Sequence, residues 1–173
     1  MPKLSAGLLL YRVRDGPRLV RRPAAPGSAA LAIATVDVLI AHPGGPFWAR
    51  KDDGAWSIPK GEYSQSDDPW AAAQREFTEE VGLAPPPGPR VDLGSVKQPG
   101  GKIVTVFAVQ GDLDVANAHS NTFELEWPRG SGQLRSFPEV DRVDWFPLAR
   151  ARGKLLKGQQ GFLDQLAVHL AER

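Results

Sequence analysis

Residues 61–83 read GEYSQSDDPWAAAQREFTEEVGL, and the second half of this stretch predicts a helix from Pro69 to Leu83. Asp67 or Asp68 can cap it, Pro69 suits the first turn, and Ala71, Ala72 and Ala73 have high helix propensity. Trp70, Ala73, Phe77 and Val81 recur at spacings of three and four, so one apolar side faces a core. Gly82 suits a left-handed C-terminal cap, and Pro85-Pro86-Pro87 prevents continuation.

The same helix carries Glu76, Glu79 and Glu80. At about 3.6 residues per turn, all three carboxylates project from one side. Like charges so placed destabilise an isolated helix by about 0.2–0.5 kcal/mol per pair. Glu79 and Glu80 also stand where the helix dipole disfavours negative charge. A solvated acidic face could tolerate this cost. A divalent cation would convert the repulsion into binding, because Mg²⁺ or Mn²⁺ takes clustered oxygen ligands. Gly61 closes the Pro59-Lys60-Gly61 turn, where the missing side chain lets a backbone carbonyl approach a metal. Glu62 is either a ligand through water or a solvated carboxylate. Arg75 can neutralise Asp67 across the loop–helix junction, or contact a phosphate.

With this spacing the stretch resembles the signature of the Nudix hydrolases, Gly-x5-Glu-x7-Arg-Glu-U-x-Glu-Glu-x-Gly-U with U a bulky apolar residue. Gly61, Arg75, Glu76, Phe77, Glu79, Glu80, Gly82 and Leu83 occupy its fixed positions, and Asp67 stands where the family has glutamate. The resemblance implies an α/β fold, the Nudix-type α/β/α sandwich with a mixed β-sheet between helices. It implies a pyrophosphohydrolase that directs water onto a phosphorus atom of a nucleoside diphosphate derivative, with no covalent intermediate. Glu76, Glu79 and Glu80 would hold Mg²⁺ or Mn²⁺ with the Gly61 carbonyl completing the shell, and Arg75, Glu79 and Glu80 belong to the implied catalytic set. In the family the loop acid pairs with the arginine. Here Asp67 with Arg75 would do so, and the shorter aspartate implies a less rigid junction rather than lost chemistry.

Outward from the motif, the chain reads as strands, helix, strands, helix. A first strand is expected over Leu4 to Arg14, with Leu8 and Leu10 on one face and Leu9 and Tyr11 on the other. A second spans Val36 to about His42. Two more, Val91 to Lys97 and Lys102 to Gln110, are joined through Pro99-Gly100-Gly101, and Val143 to Phe146 forms a short one. A long polar stretch follows Gly111, and a final helix runs from about Gln159 to Glu172 with Phe162, Leu163, Leu166 and Leu170 as its stripe. The 173 residues suit one domain, with a Pro/Ala-rich excursion at 23–34.

Composition narrows the class further. Lys and Arg number 21 against 20 Asp and Glu, so the net charge of +1 draws the chain to neither nucleic acid nor an anionic membrane. The absence of cysteine excludes disulfides, thiolate metal sites and a thiol nucleophile, and also disfavours the isoprenoid isomerase branch of the resembled fold. Met1 to Gly7 carries no secretory pattern, and Ala24 to Ile40 is too interrupted to span a membrane, so a cytoplasmic location is expected. No dinucleotide fingerprint, P-loop or nucleophile elbow is present.

The general base is expected either at Glu79 or in a distant loop, where Glu124, Glu126 and Glu139 are candidates with His119 behind them. Lys60 can contact a phosphate as a point charge; Lys97 and Lys102 are weaker candidates. Arg50 and Lys51 flank a loop that could close over a polyphosphate. Among Phe47, Trp48, Trp56 and Trp127, Trp48 is the best base-stacking candidate, while His42 and His169 read as structural. Trp56-Ser57-Ile58-Pro59-Lys60-Gly61 resembles a segment of diadenosine polyphosphate and diphosphoinositol polyphosphate hydrolases. Asymmetric cleavage of diadenosine tetraphosphate to ATP and AMP is therefore the expected reaction. Nucleoside triphosphates or a diphosphoinositol are the alternatives. A catalytically silent nucleotide- or RNA-binding module is the alternative of another class, supported only by the arginines between Arg12 and Arg22. A small-molecule nucleotide is the expected partner, and monomer and homodimer stay open.

Overall fold

A computed structural model describes residues 1–14 and 35–173. The central strand is β1, Leu4–Val13, whose unbroken apolar run is buried on both faces. It pairs in parallel with β5, Ile103–Gln110, from Leu4 against Ile103 to Tyr11 against Gln110. Its other edge is shared. Tyr11 to Val13 meet β2, Val36–Pro43, while Leu4 to Gly7 meet β3, Lys60–Tyr63, both antiparallel. Outside these lie β4, Arg90–Lys97, on β5, and β8, Val140–Pro147, on β2. The sheet order is β4-β5-β1-β2-β8 with β3 beside β1, a mixed six-stranded sheet. A separate hairpin joins β6, Thr122–Glu126, to β7, Leu134–Pro138.

Helices cover both faces. Ala72, Ala73, Phe77 and Val81 of α1, Pro69–Val81, pack on Ala6, Leu8, Leu10, Phe107 and Val109. On the other face Leu9, Val38, Ile40, Val104 and Val106 meet α2, Leu148–Lys154, and α3, Gln160–Ala171. This is the expected α/β/α sandwich. Burial of a side chain such as Phe77 is worth about 1.5–3 kcal/mol, which outweighs about 0.2–0.5 kcal/mol of repulsion per glutamate pair on the same helix. Packing, not propensity, holds α1 in place.

Five elements depart from the sequence reading. β3 is four residues without alternation, and it exists because β1 offers it an edge. β6 and β7 lie in the stretch read as polar loop and turn; Phe123 and Leu125 are half-buried while Thr122, Glu124 and Glu126 alternate outward. α2 is too short to show a stripe, and Val143 to Phe146 extends to eight residues as β8. The excursion at 23–34 lies outside the described residues.

Candidate active site

β1 changes partner from β3 to β2, and the surface opens beside that junction. Leu8 N donates to the Pro59 carbonyl at 3.1 Å, and Ala41 and Ser57 exchange backbone hydrogen bonds at 2.9 and 2.8 Å. The opening is a pocket of about 210 Å³ lined by Trp48, Ser57, Lys60, Glu80 and Glu139 among others.

α1 delivers the carboxylates. Asp68 is its cap, accepting from Ala71 N at 3.0 Å, and Gly82 closes it with φ of 79°. A side chain at Gly82 would collide with His119, whose backbone N donates to the Val81 carbonyl at 2.9 Å. Asn121 N continues the capping by donating to the Glu79 carbonyl at 3.1 Å, and Glu139 N donates to the Asn121 carbonyl at 2.8 Å. This backbone chain anchors Glu139 to the acidic end of α1. His119 thus belongs to the cap.

Gly61 lies against Glu76 so closely that a Cβ there would sit 2.0 Å from the Glu76 carboxylate carbon. Burial, and then the charge of Glu79, push the Glu76 carboxyl above its usual range. Glu80 accepts from Lys60 N at 3.2 Å, and burial pushes its carboxyl up to about 8. Glu139 adds repulsion to both. The Lys60 ammonium is pushed down by burial and by Lys102. Among the described residues, no three His, Asp or Glu side chains are drawn close enough to hold an ion. The donor set still suits a hard cation: carboxylates desolvated against one another, beside a backbone that carries no side chain.

The expected Asp67–Arg75 ion pair is replaced by other contacts. Asp67 accepts from Ser64 N and Oγ at 3.2 and 2.9 Å, which holds its carboxyl below the usual range, with Arg75 contributing only at longer reach. Arg75 donates to the Glu62 carbonyl at 3.4 Å and lies 3.4 Å from Glu76 and 3.9 Å from Glu79. The physical reason is length: the short aspartate closes its own turn and leaves the arginine to the helix acids. Glu62 is itself tied to Lys102 and Lys3.

Glu124 and Glu126 stand on the exposed face of β6, and Glu126 accepts from Gly132 N at 2.9 Å across the hairpin turn. Strand alternation turns both outward. Trp48 lines the pocket; Arg50 lines a different one, with His42, Asp141 and Arg142. Trp56 is fully buried, with Nε1 donating to Asp52 at 2.8 Å, so it belongs to the core. Trp127 packs edge-on against Phe47. Of the arginines near the start, Arg12 pairs with Asp37 and Asp112 and stacks on Trp145, and Arg14 pairs with Asp37. The others lie outside the described residues. The cap at residues 119–121 carried no signal in the sequence, because its donors are backbone.

The NUDIX domain profile matches residues 26–166. No curated protein matches the chain. Among solved structures, the NUDIX domain of Shewanella oneidensis NrtR with ADP ribose is 15% identical at a TM-score of 0.60, over 98% of this chain and 89% of that one. A C. elegans Ap4A hydrolase binary complex is 19% identical at 0.58, over 99% of both chains. A mutT/nudix family protein from Listeria innocua is 17% identical at 0.59, over 99% and 96%. At these identities the likeness is one of fold. The profile spans most of the chain and takes in the whole acidic helix with its glycine turn, so this chain belongs to the NUDIX domain family and is a hydrolase of the Nudix type, acting on phosphoanhydride bonds.

Proposed function

We propose that the protein is a Mg²⁺- or Mn²⁺-dependent pyrophosphohydrolase of nucleoside polyphosphates, with diadenosine tetraphosphate the leading substrate. The observation that carries this reading is the Glu76 carboxylate pressed on the bare backbone of Gly61 while Glu80 is buried beside it. Repelling, desolvated carboxylates are costly unless a cation joins them. Glu76, Glu79, Glu80 and the Gly61 carbonyl would hold that ion. When bound, it supplies neutralisation of the phosphate oxygens and an electrophilic pull on phosphorus.

The chain's own groups divide the remaining work. Lys60 faces the polyphosphate as a point charge, in the same pocket as Glu80. Trp48 offers a face for the base across that pocket. Glu139 takes a proton from the attacking water, whose oxygen bonds to phosphorus as the anhydride P–O bond breaks and the bridging oxygen leaves with the second product. For diadenosine tetraphosphate and water the products are ATP and AMP. The Trp56-Ser57-Ile58-Pro59-Lys60-Gly61 segment, which resembles one shared by diadenosine polyphosphate and diphosphoinositol polyphosphate hydrolases, supports a polyphosphate substrate. The net charge of +1 favours the dinucleotide over the inositol compound.

A product-resolved assay tests the reading. Diadenosine tetraphosphate, nucleoside triphosphates, ADP-ribose and a diphosphoinositol are offered with Mg²⁺, with Mn²⁺ and with chelator. Metal-dependent ATP plus AMP is expected, with heavy-oxygen water identifying the phosphorus attacked. Turnover that persists in chelator overturns the metal dependence, and preference for another panel member overturns the dinucleotide.

A further inference from the structure

His42 is the penultimate residue of β2, with only 6% of its surface exposed, at the point where the β2–β8 register slips. His42 pairs with Arg142 but Pro43 pairs with Val140, so Asp141 is the extra residue of a bulge. Bulges re-aim side chains, and this one turns the Asp141 carboxylate onto the imidazole. Nδ1 of His42 lies 2.7 Å from Asp141 Oδ1, and Nε2 lies 2.6 Å from the Lys51 carbonyl oxygen. An ionised carboxylate and a carbonyl only accept. A neutral imidazole has one N–H and can serve one of them; the doubly protonated ring serves both. The ring is held edge-on against Trp56, over which Arg142 stacks.

The charged groups around it belong to three elements. Asp141 and Arg142 come from β8, Arg50, Lys51 and Asp52 from the loop after β2, and Lys154 from α2. Lys154 is bonded to Asp52 and Asp53, so both of those carboxylates already have a cationic partner.

Two of the segments joined by His42 form walls of the substrate pocket. Lys51 N donates to the Trp48 carbonyl at 2.9 Å, so the carbonyl that His42 grips belongs to the turn carrying Trp48. Asp141 follows Glu139 by two residues, and the Glu139 carbonyl accepts from Gly44 N at 2.9 Å. We propose that His42 is a positioning residue: as a double donor between Asp141 and Lys51, it fixes the Trp48 turn against the Glu139 bend that leads into β8 and so shapes the nucleotide pocket. The assignment rests on the reading of the Trp48–Lys60–Glu80–Glu139 pocket as the substrate site. Loss of the ring's second proton costs one of the two bonds and frees the turn. Glu139 keeps its backbone ties to Gly44 and Asn121, so substrate binding is affected more than turnover.

The test follows the His42 ring nitrogens of the full-length protein by NMR across pH, together with the Trp48 indole and Lys51 amide signals, and measures KM and kcat over the same range. KM is expected to rise about fivefold as the ring loses its second proton, the factor that corresponds to one lost hydrogen bond. In His42→Gln, KM should stay at the raised value throughout. Should that variant fail to fold, Asp141→Asn serves instead: its weaker acceptor should move the ring titration and the KM step together to lower pH. A KM that ignores the ring titration, or wild-type KM in His42→Gln, overturns the proposal. If no nucleotide is hydrolysed, the pocket reading fails separately, and the NMR arm still decides the clamp. Trp48 and Lys51 signals that do not follow the His42 titration overturn it.

Discussion

The two faces of the sheet treat charge in opposite ways. On the α2–α3 side charges are matched: Lys154 meets Asp52 and Asp53 at 2.7 and 2.9 Å, and Arg152 meets Asp164. On the α1 side Glu76 and Glu80 are partly or largely desolvated, repel one another, and receive an arginine contact and one backbone donor in compensation. Each side packs an apolar underside on the sheet, so apolar burial alone does not account for the difference. On the function proposed above, it marks the place where charge is kept in reserve for a bound cation.

Removing that reserve should have the largest effect. Glu80→Gln is expected to lower kcat by orders of magnitude in saturating Mg²⁺ while the metal-free melting temperature rises or holds; near-normal turnover would sink its ligand role. Glu139→Gln should cost about 10²–10⁴-fold in kcat if it is the base, whereas Glu124→Gln and Glu126→Gln should leave kcat unchanged. Equal effects from the three would erase the distinction between pocket and hairpin. Gly61→Ala should displace the Glu76 carboxylate and raise the Mg²⁺ concentration needed for half-maximal activity, by about tenfold for roughly 1.4 kcal/mol of lost binding.

The asymmetry also has a pH signature in chelator. Glu80 is raised in the folded state to about 8 from 4.5. Below the lower value it is protonated in both states and carries no penalty. Between the two the unfolded chain releases its proton first, so stability falls with rising pH, by a few kcal/mol at most. Denaturant melts at pH 5 and pH 8 should show this loss in the wild type and a smaller one in Glu80→Gln, where Glu76 alone remains raised; a flat wild-type profile would deny the buried charge. The smallest effect belongs to the matched side. Lys154→Met should lower the melting temperature by a few degrees without changing kcat. An activity loss larger than the stability loss would mean that the Asp52–Asp53 tether governs the pocket loop as well.

The legible parts of this molecule are those whose pattern is local. The α1 cap, stripe and stop sit within the stretch 67–87, and the alternation of β1 and β5 matches the faces they bury. β3 escaped because Lys60-Gly61-Glu62-Tyr63 has no pattern of its own and depends on an edge far away in sequence. The hairpin did leave a trace, Phe123 and Leu125 alternating with glutamates, obscured by the polar residues around it. The candidate site divides the same way. Spacing puts its glutamates on one side of the helix, and the resemblance to the Nudix signature joins them to Gly61, but which distant acid completes the set is not legible.

By itself, the sequence determined that a helix would carry three carboxylates on one side behind a glycine turn, because helical periodicity and the glycine's missing side chain are properties of adjacent residues. Only the tertiary structure decided that Asp67 bonds to Ser64 instead of Arg75, that Glu139 enters while Glu124 and Glu126 face outward, and that His42 bridges a bulge and a loop. Each of these depends on backbone donors and strand registers that bring together residues distant in the chain, and no residue announces its register before the sheet is assembled.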